Sequence, residues 1–480
     1  MELNDALDII EMKAGNTRYR VLTDPDHPEY HPSAASSAIH LAEILSGVSV
    51  STPLTPPSTT PRPLTFGDVV SNGRIRVGLW CPVLFQGGAE IHQQSLLSTL
   101  DSSLVSWQGL VVVGGEAVVN PMMLEPYRGM PVGYGRDAAR ELARHCDLIL
   151  SWAIIDVPGI LEGVDTPPKV VCVSHAPRES AWGVGVYQDS QGIDRFVCVS
   201  ELAKGCVPDT HIDSAVVIEN AVDESRLVVS RSRAEMHSLW GVPPSAKVAG
   251  YLGRLSDEKD VWAMIRAAEA LPDPWHVVIV GEGVERPALE SYLLDNPNPR
   301  CHLQRGDTAI GDVLGAYDCL VVPSHYESFC LALAEGLVSG VPVISTEVGI
   351  AKLYPGLTRL IPHDVSGSEL ASAILQDHDD VEGTRTRVER AGEYARRQWT
   401  RDRYSAEWNS LLRSMFPRRK KTRKKVVTLR EMVNACKHRT AVSGCPCDKS
   451  KGRCALGYGD DGVVTLADCA RCLGKKRNDV

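Results

Sequence analysis

The chain has 480 residues, 43% of them hydrophobic and 23% charged, with a net charge of −9 and 14 cysteines. That length exceeds what one core organises, so two or three domains are expected. No apolar run approaches the roughly 18 residues of a membrane-spanning helix, and "MELNDALDIIEMK" has neither a basic n-region nor a signal-like apolar segment, which points to a cytoplasmic globular protein.

In chain order, residues 1–46 offer a helix from Leu3 to Lys13 and no evident role, and 47–73 ("VSTPLTPPSTTPRPLT" at their centre) read as an extended Pro/Ser/Thr-rich linker. From 74 the texture changes. "RIRVGLWCPV" predicts a buried strand, and "QGGAEIHQQSLLSTL" a Gly-Gly turn into a helix. The strands "WQGLVVVGG", "DLILSWAII", "KVVCVSHA", "RFVCVS" and "SAVVIENAVD" follow, completing a Rossmann-like unit over 74–235. A second series, "VAGYLGRLSDEKD", "WHVVIVGEGVERPALESYL", "CHLQRG", "YDCLVVPSHYES" and "VPVISTEVG", fills 236–415. Short Val/Ile-rich runs alternating with helix-length segments predict parallel sheets covered on both faces. The class is therefore α/β, with two Rossmann-like domains, and no internal repeat is evident.

The C-terminus departs from this pattern. From Arg418 onward 17 Lys/Arg stand against 6 Asp/Glu, so a basic element is appended to an acidic body. Residues 416–430 carry "RRKKTRKK" (418–425), suited to an anionic partner or membrane surface, or simply a solvated hinge. Residues 431–480 hold Cys436, Cys445, Cys447, Cys454, Cys469 and Cys472, with His438 nearby. In a chain without an export signal, this clustering points to metal before disulfides. Four ligands drawn from the set would close a structural zinc site. The Cys-x-Cys spacing leaves an iron–sulfur cluster open, and unpaired thiols are the plain alternative. The eight earlier cysteines, mostly in apolar runs, are expected to be free.

Within the second series "SHYESFCLALAEGLVSGVPVIS" places Glu327 and Glu335 eight positions apart where a strand gives way to a helix expected near Phe329. Ligands bind outside the C-terminal ends of parallel strands, and a helix N-terminus there seats an anion. At helical rise the two glutamates would stand roughly 12 Å apart, too far for a cooperating carboxylate pair. They suit hydroxyls at opposite ends of an elongated ligand with phosphates between, unless Glu335 merely faces solvent. "GYLGRLSDEKD" adds Arg254 and Lys259 after a strand, two cations fit to neutralise a diphosphate.

"GRLSDEK", "VVIVGEG", "ESFCLALAE" and "GVPVIST", in this order and spacing, resemble the retaining glycosyltransferases of family 4, which have the GT-B fold. The likeness covers about 74–415 and is strongest over 248–348. It implies two domains facing across a cleft, acceptor side first and donor side second. It also implies transfer of a sugar from a nucleoside-diphosphate sugar to an acceptor (glycan, lipid, protein or nucleic-acid-linked) with retained anomeric configuration. Arg254 and Lys259 would hold the diphosphate, Glu327 the sugar hydroxyls, Glu335 the ribose, and Phe329, Cys330 and Leu331 would border the donor. Gly87 and Gly88 resemble the first-loop glycines that approach phosphate or acceptor, and His175 in "VSHAP" matches a histidine near the donor sugar. "ARRQWTRDRYSAEW" resembles the terminal helix that returns to the first domain. In a front-face reaction the leaving diphosphate takes the acceptor's proton, and no catalytic metal is required. The Asp-x-Asp at Asp24 and Asp26 follows no core strand. Cys330 replaces the commonest Gly, and "GIAKLY" lacks the family's second Gly and following Glu.

Other readings are weighed by the same residues. A nicotinamide dehydrogenase is disfavoured because "GEGVER" has Arg286 where a third Gly belongs. An epimerase or phosphorylase shares the fold. A binding or scaffold protein acting through the basic Cys-rich tail is the reading from outside enzymology.

Overall fold

The computed structural model describes residues 73–84, 87–116, 119–152, 156–180 and 190–417, and the backbone of four further strands at 9–14, 17–22, 447–448 and 453–454. It divides into two units, Met1–Ser414 and Met415–Val480.

In the first unit, β1 (Ile9–Ala14) and β2 (Thr17–Leu22) pair antiparallel, with Ala14 opposite Thr17. This corrects the expected helix over Leu3–Lys13 from Ile9 onward, the earlier residues lying outside the described ones. Ile9, Ile10, Tyr19 and Val21 favour pleated backbone, and the intervening Gly15-Asn16 is a two-residue hairpin signature that the apolar spacing concealed.

The first large sheet is wholly parallel. Its strands are β3 (Ile75–Cys81), β4 (Val105–Val112), β5 (Val132–Tyr134), β6 (Leu148–Ser151), β7 (Lys169–Ser174), β8 (Arg195–Cys198) and β9 (Val216–Val217), in spatial order 5-4-3-6-7-8-9. Helices α1 (Gly88–Thr99), α2 (Gly135–Arg144), α3 (Val157–Leu161) and α4 (Glu201–Lys204) connect them. Val77, Leu110, Leu148, Val171 and Val197 are fully buried. Unbroken Val/Ile/Leu runs are what a strand covered on both faces requires.

The second sheet contains β10 (Lys247–Leu252), β11 (Trp275–Val280), β12 (Cys301–Gln304), β13 (Cys319–Val322), β14 (Val343–Ser345) and β15 (Arg359–Leu360), parallel and ordered 12-11-10-13-14-15. Its helices are α5 (Arg233–Trp240), α6 (Trp262–Ala270), α7 (Arg286–Asp295), α8 (Ile310–Gly315), α9 (Leu331–Val338), α10 (Gly349–Leu353) and α11 (Gly367–Asp379). Ser232 and Glu235 form a capping box at the start of α5, and Ser366 with Glu369 does the same for α11. Strand order reverses between β3 and β6 in one sheet and between β10 and β13 in the other. These are the crevices where a parallel sheet binds ligands.

Helix α12 (Val381–Gln398) leads into α13 (Arg401–Met415), whose first turns lie on the first sheet's helix α1. Ser405 Oγ donates to the Thr99 carbonyl at 2.7 Å, Arg401 Nη2 to Ser98 Oγ at 2.8 Å, and Tyr404 OH lies 2.8 Å from His92 Nε2. Among the described residues no helix is long and apolar enough to cross a membrane.

In the second unit, β16 (Cys447–Asp448) and β17 (Arg453–Cys454) form an antiparallel ribbon that sets Cys447 opposite Cys454. The expected cysteine ligands Cys436, Cys445, Cys469 and Cys472 and the basic run 418–425 lie outside the described residues.

Candidate active site

The second sheet's reversal point is flanked by the loops after β10 and β13, and both carry charge. Tyr251 OH donates to the Arg254 carbonyl at 2.6 Å, and the 3-10 turn Asp257–Lys259 follows. Lys259 Nζ reaches across the crevice to Glu327 Oε1 at 2.6 Å, while Arg254 Nη2 donates to Glu258 Oε1 at 3.0 Å. The backbone N–H of His325 also bonds to the Glu258 carbonyl, joining the two loops. Lys259 and Glu327 are about one-sixth exposed, whereas the Arg254 side chain is half exposed. Burial opposes the charge on Lys259, but Glu327 and Glu258 outweigh it and hold its pKa above the usual lysine value. Burial likewise works against Arg254, and Glu258, Glu90 and Glu327 reverse the effect.

The two glutamates are positioned differently from what helical spacing implied. Helix α9 begins at Leu331, after a capping Cys330 at φ +73°, so Glu327 sits in a loop and Glu335 is the fifth residue of the helix. The 12 Å helical-rise argument therefore does not apply, because half of the interval is not helix. Glu327 belongs to the loop and pairs with Lys259. Glu335 is buried, its side chain 4% exposed, and pairs with Arg226 Nη1 at 2.9 Å. The solvent-facing alternative for Glu335 is excluded. Burial raises its pKa, Arg226 lowers it and Asp223 raises it again.

The remaining expected donor contacts divide between backbone and core. Phe329 is buried with its ring edge-on to Trp399, and its carbonyl accepts from Ile350 N at 3.0 Å. The Glu327 carbonyl accepts from Gly349 N at 3.1 Å. Gly349 has φ +49°, and a Cβ there would stand 2.5 Å from the Phe329 carbonyl oxygen, so this close approach needs glycine. Leu331 is partly exposed. The Cys330 thiol is buried and its pKa rises well above the usual value, through burial first and then Glu327.

The first sheet reaches the same place. Ser328 Oγ donates to the His175 carbonyl, and a Cβ on Gly88 would stand 3.8 Å from Leu331 Cδ1. Gly87 caps α1 in extended conformation, and Glu90 in its first turn is buried. The His175 ring packs edge-on to His92, 4.7 Å between centroids, and His92 is in turn held by Trp152 Nε1 at 3.2 Å. Burial pushes the His175 pKa down to about 3, so it is a neutral imidazole at physiological pH.

The expected Arg254, Lys259, Glu327, Glu335, His175, Gly88 and Leu331 thus gather around the α9 N-terminus. Sequence reasoning missed Glu258, Arg226, Ser328 and Glu90. Glu258 was legible as the i+4 partner of Arg254. Arg226 was not, being 109 positions from Glu335. The cations are also not bare: each has a carboxylate partner, so any incoming anion must share or displace one.

Residues 246–380 match the family model described as glycosyl transferases group 1. That match spans the second sheet from β10 to the end of α11 and leaves the rest of the chain outside it. It is 31% identical over 159 residues to a GDP-mannose-dependent alpha-mannosyltransferase of Mycolicibacterium smegmatis, covering 33% of this chain and 40% of that protein. It is 32% identical over 162 residues to a D-inositol 3-phosphate glycosyltransferase of Mycolicibacterium gilvum, covering 31% of this chain and 32% of the relative. The chain therefore spans two fifths or less of the length of these curated relatives. In three dimensions it resembles HepE of Anabaena in complex with UDP-glucose, with TM-score 0.60 and 17% identity over 71% of this chain and all of that one. Sucrose-phosphate synthase from Thermosynechococcus elongatus gives 0.56 and 16%, over 72% of this chain and 99% of that one. At these identities the structural likeness establishes the GT-B fold.

Proposed function

We propose that this chain is a retaining glycosyltransferase of family 4 that moves a sugar from a nucleoside-diphosphate sugar to an acceptor hydroxyl. The observation that carries the reading is the convergence of Arg254, Lys259 and the α9 N-terminus at the strand-order reversal. That is where charge develops when a diphosphate leaves. Glu327 orients the sugar hydroxyls and Glu335 the ribose. The neutral His175 offers a hydrogen bond near the sugar. The bond from the anomeric carbon to the phosphate oxygen breaks as the bond to the acceptor oxygen forms on the same face. The acceptor's proton passes to the departing phosphate oxygen, so no protein base is used. The similar proteins named for GDP-mannose and UDP-glucose support a nucleotide-sugar donor.

The tail is read separately. Its cysteines suit a structural zinc, supported by the ribbon that brings Cys447 opposite Cys454. Elemental analysis after anaerobic purification tests this, and a protein free of zinc and iron refutes it. The basic run 418–425 suits an anionic surface, tested by salt-dependent vesicle binding.

The transferase reading is tested by incubating the full chain with UDP- and GDP-sugars. Release of nucleoside diphosphate, with the sugar hydrolysed or transferred with retained configuration by NMR, is expected. An epimerised donor without release assigns the site to an epimerase. No stabilisation by any nucleoside diphosphate or its sugar in thermal shift overturns the reading.

A further inference from the structure

Glu335 meets a cation from a distant part of the chain. Arg226 lies in a 3-10 turn, Glu224–Leu227, on the segment passing from the first sheet to the second. Asp223 caps that turn, accepting from Ser225 N at 3.1 Å and from Ser225 Oγ at 2.7 Å. Asp223 Oδ2 also pairs with Arg401 Nη1 at 3.0 Å, and Val222 N bonds to the Trp399 carbonyl at 2.9 Å. The turn is therefore fixed where the chain crosses outward and where it returns. From it Arg226 Nη1 reaches Glu335 Oε1, and among the described residues Oε2 carries no hydrogen bond.

We propose that Arg226 is a positioning residue for nucleotide binding: it holds Glu335 Oε1, fixes the rotation of the carboxylate and leaves Oε2 for a vicinal diol. This rests on the reading of Glu335 as the ribose ligand. A carboxylate buried without a cation takes up a proton and loses acceptor capacity. Two vicinal hydroxyls donating to Glu335 need it ionised. Burial and Asp223 push its pKa up, and Arg226 is the group that opposes them. Arg401 engages Asp223, and Arg396 of α12 donates to the Val338 carbonyl at the far end of α9. Neither is paired with Glu335.

The sign of the pH effect follows. Affinity is present above the Glu335 pKa and lost as pH falls through it. Removing Arg226 raises that pKa, so the loss begins at higher pH.

The test is calorimetric titration of UDP and GDP into full-length protein between pH 5.5 and 8, with donor KM and kcat, for Arg226→Ala, Arg226→Gln, Arg226→Lys and Glu335→Ala. Arg226→Ala should weaken nucleoside diphosphate by up to roughly tenfold at acid pH, the equivalent of a one-unit rise in the Glu335 pKa, and by less near neutrality. Donor KM should rise and kcat should change little. Arg226→Lys should restore most of the affinity and the pH profile. Arg226→Gln keeps a donor and drops the charge, so it should fold even if the alanine variant does not, and should still show the shifted profile. A pure packing role predicts lost stability with an unshifted profile, which overturns the inference. So does wild-type affinity in Arg226→Ala or Arg226→Gln while Glu335→Ala binds poorly. Unchanged affinity in Glu335→Ala overturns the ribose reading beneath it.

Discussion

The rims of the two sheets are built from unlike chemistry. The second presents three ion pairs, Arg254–Glu258, Lys259–Glu327 and Arg226–Glu335, each a cation set against a carboxylate within 3.0 Å. The first presents the glycines before α1, the buried Glu90, and two histidines whose pKa values burial drives down. The contrast shows where each half acts on the proposed reading. The second rim handles charge on a leaving diphosphate, and the first shapes and hydrogen-bonds a largely neutral sugar. It also shows that pairing, not bare positive charge, is the resting condition of the charged rim. Each of its cations holds a carboxylate in place.

The variant that strains this contrast most is Lys259→Ala. Loss of one preorganised donor to a developing anion costs on the order of 10²–10³ in turnover, and that is the expected fall in kcat with a nucleotide-sugar donor. The same change strands a mostly buried Glu327, so the thermal midpoint should fall too. The double variant Lys259→Ala/Glu327→Gln separates the effects. It should regain the thermal midpoint and not the turnover. Recovered turnover would remove both Lys259 and Glu327 from the transfer step, and the charge-handling role of the second rim would fail.

The next effect distinguishes the two glutamates. Glu335→Ala should weaken binding of plain nucleoside diphosphate by roughly tenfold, about 1.4 kcal/mol. Glu327→Ala releases Lys259 from its partner, so plain nucleoside diphosphate should bind as well as to the unaltered protein, or more tightly, while sugar transfer collapses. Calorimetry with the nucleotide alone reads both. Equal losses in the two variants would break the division between sugar and ribose ends.

Much of this was legible in the chain itself. The Val/Ile runs announce the strands of both sheets, because burial on two faces leaves no polar alternation to confuse them. The brief strands β5 and β15 carry too few residues for any pattern and exist through pairing with β4 and β14. "GRLSDEK" and "ESFCLALAE" carry Arg254, Lys259, Glu327 and Glu335, which lie on the loops and helix that flank the reversal point. Local spacing failed at partners. The helix expected to begin near Phe329 begins at Leu331, with the left-handed Cys330 as its cap, so the distance between the two glutamates does not follow from helical rise. Arg226 and Ser328 engage groups more than a hundred positions away, contacts set by topology alone.

The neutral rim predicts a pH effect of intermediate size. His175 is held at about 3, and His92 is likewise lowered. Their unfolded values lie near 6.5, so between pH 6.5 and 3 the unfolded chain binds more protons than the folded one. Stability therefore rises with pH through that window and is lost as pH falls. His175→Gln should flatten the acid limb of thermal stability by several degrees, and the His175 ring should show no NMR titration between pH 5 and 8. A ring titrating near 6.5 would move His175 out of the neutral rim.

The smallest expected effect concerns the residue that caps α9. Cys330 holds φ +73°, a region that disfavours any Cβ, at a cost of about 1–3 kcal/mol for a non-glycine residue. Cys330→Gly should relieve this, while Cys330→Ala keeps the strain and loses the same sulfur. The glycine variant should therefore melt above the alanine one by roughly 2–4 °C per kcal/mol of relief. Comparing the two variants cancels the lost packing of a thiol that is almost wholly buried. If the strain also sets the approach of donor phosphate to the helix, donor KM should fall in Cys330→Gly and not in Cys330→Ala. Identical melting of the two would show that surrounding contacts, rather than a missing glycine, determine the backbone at this cap.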